Sequence, residues 1–277
     1  MAKHRENNLS TQIVEKAKEF GACLAGIASV EGLKESPSHI IYGKLEKHEG
    51  VGTKKTGKIK PGQVSWPENA RSAIVIALEH PEERPELDWW KDGHSGGTIG
   101  NGILMSICDK VSEWLQEEKG IRTNKLPYHI EHGGIFLKDA AVMAGLGCIG
   151  KNNLLVTPTF GPRVRLRTIL TDQVLEGVGP IDFDPCEDCS MPCKKACPQE
   201  AFQSKIYSEK DFGIDRLPAR IGVYSRHRCN IQMELDIDNC KKTGVEGRDE
   251  PAKLVRYCRL CELTCPIGKT VIGVWPR

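Results

Sequence analysis

The sequence lacks any hydrophobic run long enough to cross a membrane. None of its apolar stretches approaches the roughly 20 residues that a transmembrane helix needs. Residues 1–10 are charged and polar, without the apolar core of an export signal. The sequence therefore predicts no membrane association and a cytoplasmic location.

A strong net charge is also missing. The 39 Lys and Arg residues nearly balance the 37 Asp and Glu residues, which leaves a net charge of +2. This balance argues against wholesale binding to nucleic acid or to a membrane surface. Apolar residues make up 39% of the 277 positions and charged residues 27%, as is typical of a soluble globular protein of about two domains.

Cysteine is scarce in the first 185 residues, which contain three, but nine occur between Cys186 and Cys265. In a chain without an export signal, such clustering indicates metal binding or redox chemistry instead of disulfides. The composition changes near residue 180, within a segment rich in Gly, Pro and Asp at 177–185. We therefore predict two domains, at 1–180 and 181–277.

The pattern of apolar residues predicts alternating helices and strands in the first domain. Apolar residues at helical spacing predict helices near 13–24, 103–115 and 135–144, with Gly120 ending the second. The continuous apolar run Ala73–Leu78 predicts a strand that is covered on both faces. The fold class is thus a mixed α/β (α+β) fold.

Strict alternation at 163–167 predicts a further strand. It places Arg163, Arg165 and Arg167 on one face and Val164 and Leu166 on the other. A half-buried strand fits this pattern, and we expect the arginine face to be solvated in preference to forming an anion site.

Two cysteine runs carry the strongest functional signal. They are Cys186-x2-Cys189-x3-Cys193-x3-Cys197-Pro198 and Cys258-x2-Cys261-x3-Cys265-Pro266. Two 4Fe-4S clusters need eight thiolates, and in two-cluster ferredoxins the cysteine before the proline ligates the other cluster. This rule predicts one site of Cys186, Cys189, Cys193 and Cys265. The second site takes Cys197, Cys258, Cys261 and one isolated cysteine, either Cys229 or Cys240.

Zinc is the alternative metal. The pairs Cys186/Cys189 and Cys258/Cys261 would form a tetrahedral zinc site, although this leaves the other clustered cysteines unexplained. Outside this region, Cys23 and Cys108 fall in apolar segments, where a small core residue is the simpler interpretation.

Several segments resemble one protein family. They are Phe20–Ala28, Ala144–Asn152 (AGLGCIGKN), Leu154–Pro158, Gly161–Leu166 and Leu170–Asp172, followed by the double cysteine runs. Together they resemble the epoxyqueuosine reductase and reductive dehalogenase superfamily. The Gly-Lys-Asn version of the central motif is closer to the epoxyqueuosine reductases, which typically continue into helical repeats that help hold tRNA. Because this chain ends twelve residues after Cys265, we expect a short form and argue against a tRNA substrate.

The resemblance implies a nitroreductase-like cobalamin-binding domain, followed by a ferredoxin-like domain with two 4Fe-4S clusters. It also implies Cys229 as the isolated ligand, because the family has a lone cysteine in an Arg-Cys segment that Arg228-Cys229 matches. Glycine lets the backbone approach a flat ligand, and polar side chains next to it would bind corrin amides. The predicted cobalamin contacts are Tyr128, His129, Gly145, Gly147, Gly150, Lys151, Asn152 and Asn153. Glycines that only form turns are the alternative, and a dinucleotide loop is disfavoured because the motif follows a helix.

The family's proposed proton-donating aspartate, counted back from the Gly-Leu-Gly turn, falls on Glu131. We therefore expect Glu131 to be catalytic, with Tyr128, His129 and His132 as alternative donors. A solvated turn residue is the competing interpretation.

These features predict an iron-sulfur oxidoreductase that passes electrons through two clusters to cobalamin and reduces a small molecule. A low-potential donor such as ferredoxin or flavodoxin would supply the electrons. Two alternatives stay open: an electron-transfer or reactivating protein for a corrinoid protein partner, and a tRNA epoxyqueuosine reductase with a reduced binding surface.

Overall fold

The structure, a computed structural model, describes residues 8–45, 59, 63–243 and 251–269. In these ranges the helices are α1 (Leu9–Glu19), α2 (Val30–Lys34), α3 (Pro37–Gly43), α4 (Ile99–Lys119), α5 (Leu137–Met143), α6 (Pro192–Lys195), α7 (Glu209–Phe212), α8 (Arg226–Asp238) and α9 (Leu260–Leu263). The strands are β1 (Leu24–Ser29), β2 (Ser72–Glu79), β3 (Trp90–Lys91), β4 (Thr123–Asn124), β5 (Cys148–Ile149), β6 (Leu155–Val156), β7 (Val164–Thr171), β8 (Lys241–Thr243) and β9 (Ala252–Val255). Short 3₁₀ helices span Pro85–Asp88 and Ile130–His132. The fold is mixed α/β.

A four-stranded sheet forms the centre of the molecule, in the order β1-β2-β7-β4, and its neighbouring strands are antiparallel. In β2, Val75 lies opposite Gly26 of β1 and Thr168 of β7. Residues 73–77 are fully buried. The prediction of a strand covered on both faces is confirmed.

Two layers of helices cover this sheet, because successive residues of a strand point to opposite faces. Ile74 and Ile76 pack in one apolar cluster with Ile107 of α4, and α1 joins that layer. Val75 packs on the other face in the cluster that contains Ala140 of α5. Helix α5 and the segments next to it therefore lie on the Val75 face of the sheet.

Helix α4 ends at Gly120 as the sequence predicts, and it begins at Ile99, four residues before the predicted apolar stripe. The Thr98 hydroxyl accepts a hydrogen bond from the Asn101 amide at 3.1 Å and so caps the first turn. Gly120 follows the last turn with φ 65°, in the left-handed region that glycine adopts without strain. None of the helices in the described ranges combines the length and the apolar composition needed to cross a bilayer.

Gly100 gives a test of this packing, because it lies against the fully buried ring of His80. A methyl group on Gly100 would overlap that ring and approach the Leu87 carbonyl oxygen to 2.9 Å. We expect Gly100→Ala to lower the free energy of unfolding by about 1–3 kcal/mol, as overpacking does in a closed core. Equilibrium denaturant unfolding measures the effect.

Gly102→Ala is the matched control on the same helix, because the nearest atom to an added methyl group there is 3.6 Å away. Because alanine favours a helix interior more than glycine does, we expect it to leave the free energy of unfolding unchanged or to raise it by up to about 1 kcal/mol. Equal effects of the two substitutions would show that His80 does not pack against Gly100.

The two predicted domains share a second sheet. Its strand order is β3-β9-β8, and Trp90 of β3 pairs with Val255 of β9. A strand from the first 180 residues is thus hydrogen-bonded to a strand from the C-terminal part. The division at residue 180 stays a prediction, with the two parts closely joined.

The arginine face of β7 contacts protein. Arg163 is 5% exposed, and its guanidinium donates to the Cys265 carbonyl at 3.1 Å. Arg165 pairs with Asp88 at 2.8 Å and with Glu262 at 2.9 Å. The expectation of a solvated face is wrong for these two residues, because the C-terminal cysteine segment covers them.

Asp88 forms the centre of the charge cluster between the two parts. Its carboxylate lies 2.8 Å from the buried His80 ring nitrogen and 2.7 Å from Arg259. Burial by itself would raise the pKa of Asp88, but the hydrogen bond with His80 and the charges of Arg165 and Arg259 hold that pKa below its ordinary value. An ionised Asp88 therefore links β2, β7 and the residues next to α9.

Candidate functional site

The structure gathers four cysteines from both sequence runs around one small cavity. Cys186, Cys189, Cys193 and Cys265 line it together, and we refer to them as the first cysteine group. Burial raises the pKa of Cys193 to about 11, and negative charge on the other three thiols acts in the same direction.

A second cysteine group consists of Cys197, Cys229, Cys258 and Cys261. Burial raises the pKa of Cys261, and negative charge on the other three raises it further. The Cys258 amide donates to the Asp236 carboxylate at 2.7 Å, which fixes the loop before α9 against α8.

The short helices α6 and α9 explain how the runs cross over. Each carries one cysteine, Cys193 in α6 and Cys261 in α9, and the two helices pack together. The chain then continues to Cys197 or Cys265, which lies in the other group. The structure thus brings together the same two sets of four that the sequence predicts as ligands, and iron binding by them stays a prediction.

The zinc alternative requires a different set. Its quartet takes Cys186 and Cys189 from the first group and Cys258 and Cys261 from the second. Among the residues that the structure describes, no three His, Cys, Asp or Glu side chains are arranged to hold a single metal ion. Two sets of four thiols, each buried or half-buried, fit two cubane clusters, in which each thiolate binds a separate iron. A bound metal would also stabilise the thiolates that burial disfavours.

The remaining cysteines are not members of the two groups. Cys240 follows the end of α8; burial raises the pKa of Tyr257, and the charges of Asp236 and Cys240 raise it further. Cys108, within α4, is 2% exposed in the core, as the sequence predicts, and Cys23 is half-buried against the other core cluster. Cys148 is half-buried on β5 within electrostatic range of Cys186.

A larger cavity of about 440 Å³ lies between the two parts of the chain. Aromatic and aliphatic side chains from α3, from the segment before α5 and from the residues around the start of α8 form its walls. Four of the predicted site residues line it: Tyr128, His129, Glu131 and Asn153. Its volume falls in the range of small-molecule sites, about 300–1,000 Å³.

Glu131 lies in the 3₁₀ turn that precedes α5, and Gly133 ends this turn with φ 92°. The Glu131 charge acts on two neighbours in the cavity wall. Burial and then Glu131 raise the pKa of Tyr42. Burial lowers the pKa of His129, and Glu131 opposes that shift only in part. Glu131 therefore lies in the cavity beside a phenol and a neutral imidazole.

Tyr128 is held at the same cavity by a cation-π contact. The Arg167 guanidinium lies 4.9 Å from the centre of the Tyr128 ring. Arg167 in turn donates to the Asn101 side chain at 2.8 Å. The third arginine of β7 thus supports the loop that carries Glu131.

The three motif glycines pack closely against other residues of the protein. A side chain on Gly145 would meet Gly179, and one on Gly147 would meet the Val156 carbonyl group. Gly150 lies against the Asn152 side chain. These glycines are not part of the lining of the larger cavity, so their contact with cobalamin stays a prediction.

The polar residues after these glycines connect the two parts. Lys151 donates to the Glu187 carbonyl at 3.2 Å and lines the small cavity of the first cysteine group. Asn152 is 4% exposed and donates to the Cys261 carbonyl at 3.2 Å. Asn153 accepts a hydrogen bond from the Ala219 amide at 3.0 Å. Of the three predicted contacts, only Asn153 lines the larger cavity.

Lys138 is a cavity residue that the sequence analysis missed. It lies in the first turn of α5 and donates to the Asn153 carbonyl. Burial lowers the pKa of Lys138 to about 8, although the Cys229 and Cys261 thiols act in the opposite direction. A lysine at the start of an otherwise apolar helix was the only signal in the sequence.

Tyr224 and Arg226 were also missed. Both line the larger cavity, and Tyr224 lies within electrostatic range of Arg226 and of Cys229. Tyr224 is 8% exposed, and burial raises its pKa. The second cysteine group and the larger cavity therefore share a wall, formed by Tyr224 and Lys138.

Comparison with known proteins identifies relatives of two kinds. Over 210 residues the chain is 26% identical to an epoxyqueuosine reductase of Lactococcus garvieae, and this match covers 74% of the chain and 54% of that protein. Over 150 residues it is 46% identical to a tetrachloroethene reductive dehalogenase of Desulfitobacterium hafniense, covering 51% of the chain and 24% of that protein. No protein-family model matches the chain.

The fold has a counterpart among solved structures. An epoxyqueuosine reductase from Streptococcus thermophilus superposes with a TM-score of 0.60 at 18% identity, covering 97% of this chain and 68% of that one. At this identity the match shows a shared fold. The chain spans about half the length of the first curated relative and about a quarter of the second.

Proposed function

We propose that this chain, a homologue of the epoxyqueuosine reductases and reductive dehalogenases within one superfamily, is an iron-sulfur oxidoreductase. Electrons would pass from two 4Fe-4S clusters to a cobalamin, which serves to reduce a small molecule. One observation carries the proposal. Tyr224 and Lys138 line the larger cavity, and both lie within electrostatic range of the second cysteine group.

The two cysteine groups would hold the clusters. The first would bind through Cys186, Cys189, Cys193 and Cys265, and the second through Cys197, Cys229, Cys258 and Cys261. Residues 181–277 would then form the ferredoxin-like domain. The second cluster would be the one that delivers electrons to the cavity, since its ligands adjoin the cavity wall.

Residues 1–180 would provide most of the cobalamin site. Cobalamin supplies a reactive cobalt centre that accepts single electrons from a cluster and transfers them to substrate. A whole cobalamin is larger than the drug-sized ligands that fill cavities of this volume. It would therefore extend beyond the mouth of the cavity, with Asn153, Tyr128 and His129 as its contacts inside.

The protein's own residues would handle protons. Glu131 lies in the cavity wall next to Tyr42 and His129. Burial lowers the pKa of His129, so its neutral ring would have no proton to spare, and the proton would come from the Tyr128 phenol or from Glu131 in its protonated form. The hydrophobic wall of Phe136 and Ile135 would limit the access of water.

A low-potential protein such as ferredoxin or flavodoxin would reduce the first cluster. The size of the cavity also supports a second function of a different class, in which a corrinoid stays on a partner protein and this chain only reduces it. In that case no free cobalamin would be retained. A tRNA substrate is a further proposal, because a solved structure of an epoxyqueuosine reductase contains an epoxyqueuosine-modified tRNA stem loop.

Anaerobic reconstitution tests the clusters. We expect about eight irons and eight sulfides per chain and reversible bleaching of visible absorption by dithionite. Stoichiometric zinc, with far less iron after full reconstitution, would contradict the proposal.

Titration with hydroxocobalamin tests the cofactor. We expect a change in its visible spectrum and co-elution with the protein on gel filtration. Co-elution only in the presence of a corrinoid protein would favour the electron-transfer function. Activity is then assayed with tetrachloroethene, the substrate in the name of one relative, and with an epoxyqueuosine-modified tRNA stem loop, the ligand in one related structure.

A further inference from the structure

Two cations, Lys138 and Arg226, converge on the larger cavity. Burial and the charge of Arg226 lower the pKa of Lys138, and the charges of Asp139, Cys229 and Cys261 offset that shift only in part. Like charges repel, so placing them together in a partly buried cavity costs stability unless something else binds there.

The contacts of Arg226 leave part of its guanidinium group unused. Its side chain lies within electrostatic range of Tyr224, but its Nε atom is buried and has no hydrogen-bond partner. Lys138 uses one bond, to the Asn153 carbonyl. Within the described residues, no carboxylate forms an ion pair with either cation.

The acidic side chain in the described lining, Glu131, acts on other neighbours. Its charge is felt by Tyr42 and by His129. Asp139, next to Lys138, accepts bonds from the Ser38 amide at 2.8 Å and the Ser38 hydroxyl at 2.6 Å. Neither carboxylate forms an ion pair with Lys138 or Arg226, although the charge of Asp139 favours the charged form of Lys138.

From this geometry we infer that Lys138 and Arg226 form a binding site for an anionic group, a carboxylate or a phosphate, of the ligand that enters the cavity. A buried donor that lacks a partner is costly, and a guanidinium with an ammonium beside it offers several charge-assisted bonds to such an anion. The flat side chains of Tyr207, Tyr224 and Phe136 fit a planar body attached to that anion. The inference rests on the proposed function, since it specifies the ligand of the same cavity.

The anion has two chemical sources. A substrate would bring a carboxylate on a planar ring, whereas cobalamin would bring the phosphate of its nucleotide loop. Benzoate and its neutral analogue benzamide probe the first source. Cobalamin and cobinamide, which lacks the nucleotide loop and its phosphate, probe the second.

The experiment is calorimetric titration of the reconstituted protein at pH 7 with each of the four probes. We expect benzoate to bind at least about tenfold more tightly than benzamide, or cobalamin at least about tenfold more tightly than cobinamide. Arg226→Gln and Lys138→Gln should each reduce the preference about tenfold. The first result assigns the anion to the substrate and the second assigns it to the corrinoid. Both support the site.

Arg216→Gln is the matched control, because Arg216 is exposed and does not line the cavity. It should leave every affinity unchanged. Arg226→Lys, which keeps the charge, should retain more of the preference than Arg226→Gln and guards against a simple folding defect. Equal affinities within both probe pairs, or preferences that survive both Gln variants, would overturn the inference. Iron content, measured on the same samples, reports separately whether the proposed function fails.

Discussion

Cys229→Ala is expected to lose about four of the eight irons and to abolish electron delivery to the cavity. Cys229 is the isolated member of the second cysteine group, and its charge acts on Tyr224 in the cavity wall. Without its thiolate the second cluster has three ligands, while the first group keeps all four. The measurement is iron and sulfide content after anaerobic reconstitution, with EPR spectra of the dithionite-reduced protein.

Cys240→Ala provides the matched control. Cys240 follows the end of α8, and it is not among the groups whose charges raise the pKa of Cys261, which are Cys229, Cys258, Glu262 and Cys197. We expect this variant to keep about eight irons and an unchanged EPR signal. If Cys240→Ala loses the iron and Cys229→Ala keeps it, the assignment of the isolated ligand is wrong.

Glu131→Gln is expected to lower the rate of substrate reduction by about 10²- to 10⁴-fold, the usual contribution of a positioned proton donor. The amide keeps the size of the side chain but has no acidic proton. Cluster content and the rate of cluster reduction should stay unchanged, because Glu131 is not near the cysteine groups in the described contacts. Single-turnover measurements separate the two steps.

Glu131→Asp should recover much of the rate, since the related reductases are expected to use an aspartate at this position. Glu118→Gln, an exposed change on α4, should have no effect on either step. A Glu131→Gln variant with full turnover would show that Glu131 is only a turn residue and that Tyr128 or another group donates the proton.

Local patterns in the sequence were sufficient for much of the fold. The run Ala73–Leu78 became β2, buried on both faces, and the apolar stripe that ends at Gly120 became α4. These features depend on a period of side chains or on a backbone conformation that one residue prefers. The spacing of the cysteines likewise reflects how far a short helix can carry the chain between two ligands.

Other features depended on which distant segments meet. The arginine face of β7 appeared solvated because nothing in residues 163–167 indicates that Cys265 and Glu262 will cover it. The glycines of the central motif have the form of a ligand-binding loop, yet the segments that fill the space above Gly145 and Gly147 come from residues 179 and 156. A sequence motif specifies that a close approach occurs, not which atoms approach.

By itself, the sequence predicted the mixed α/β fold and seven of the eight cysteines in the two groups, and the resemblance to a reductase superfamily added Cys229 as the eighth. Only the tertiary structure decided that the second cysteine group adjoins a cavity, and that Lys138 and Arg226 enter it beside Glu131. The physical reason is that ligand spacing and hydrophobic period are local properties of the chain. A shared wall between a metal site and a cavity depends instead on contacts between residues about 90 positions apart, such as Lys138 with Cys229.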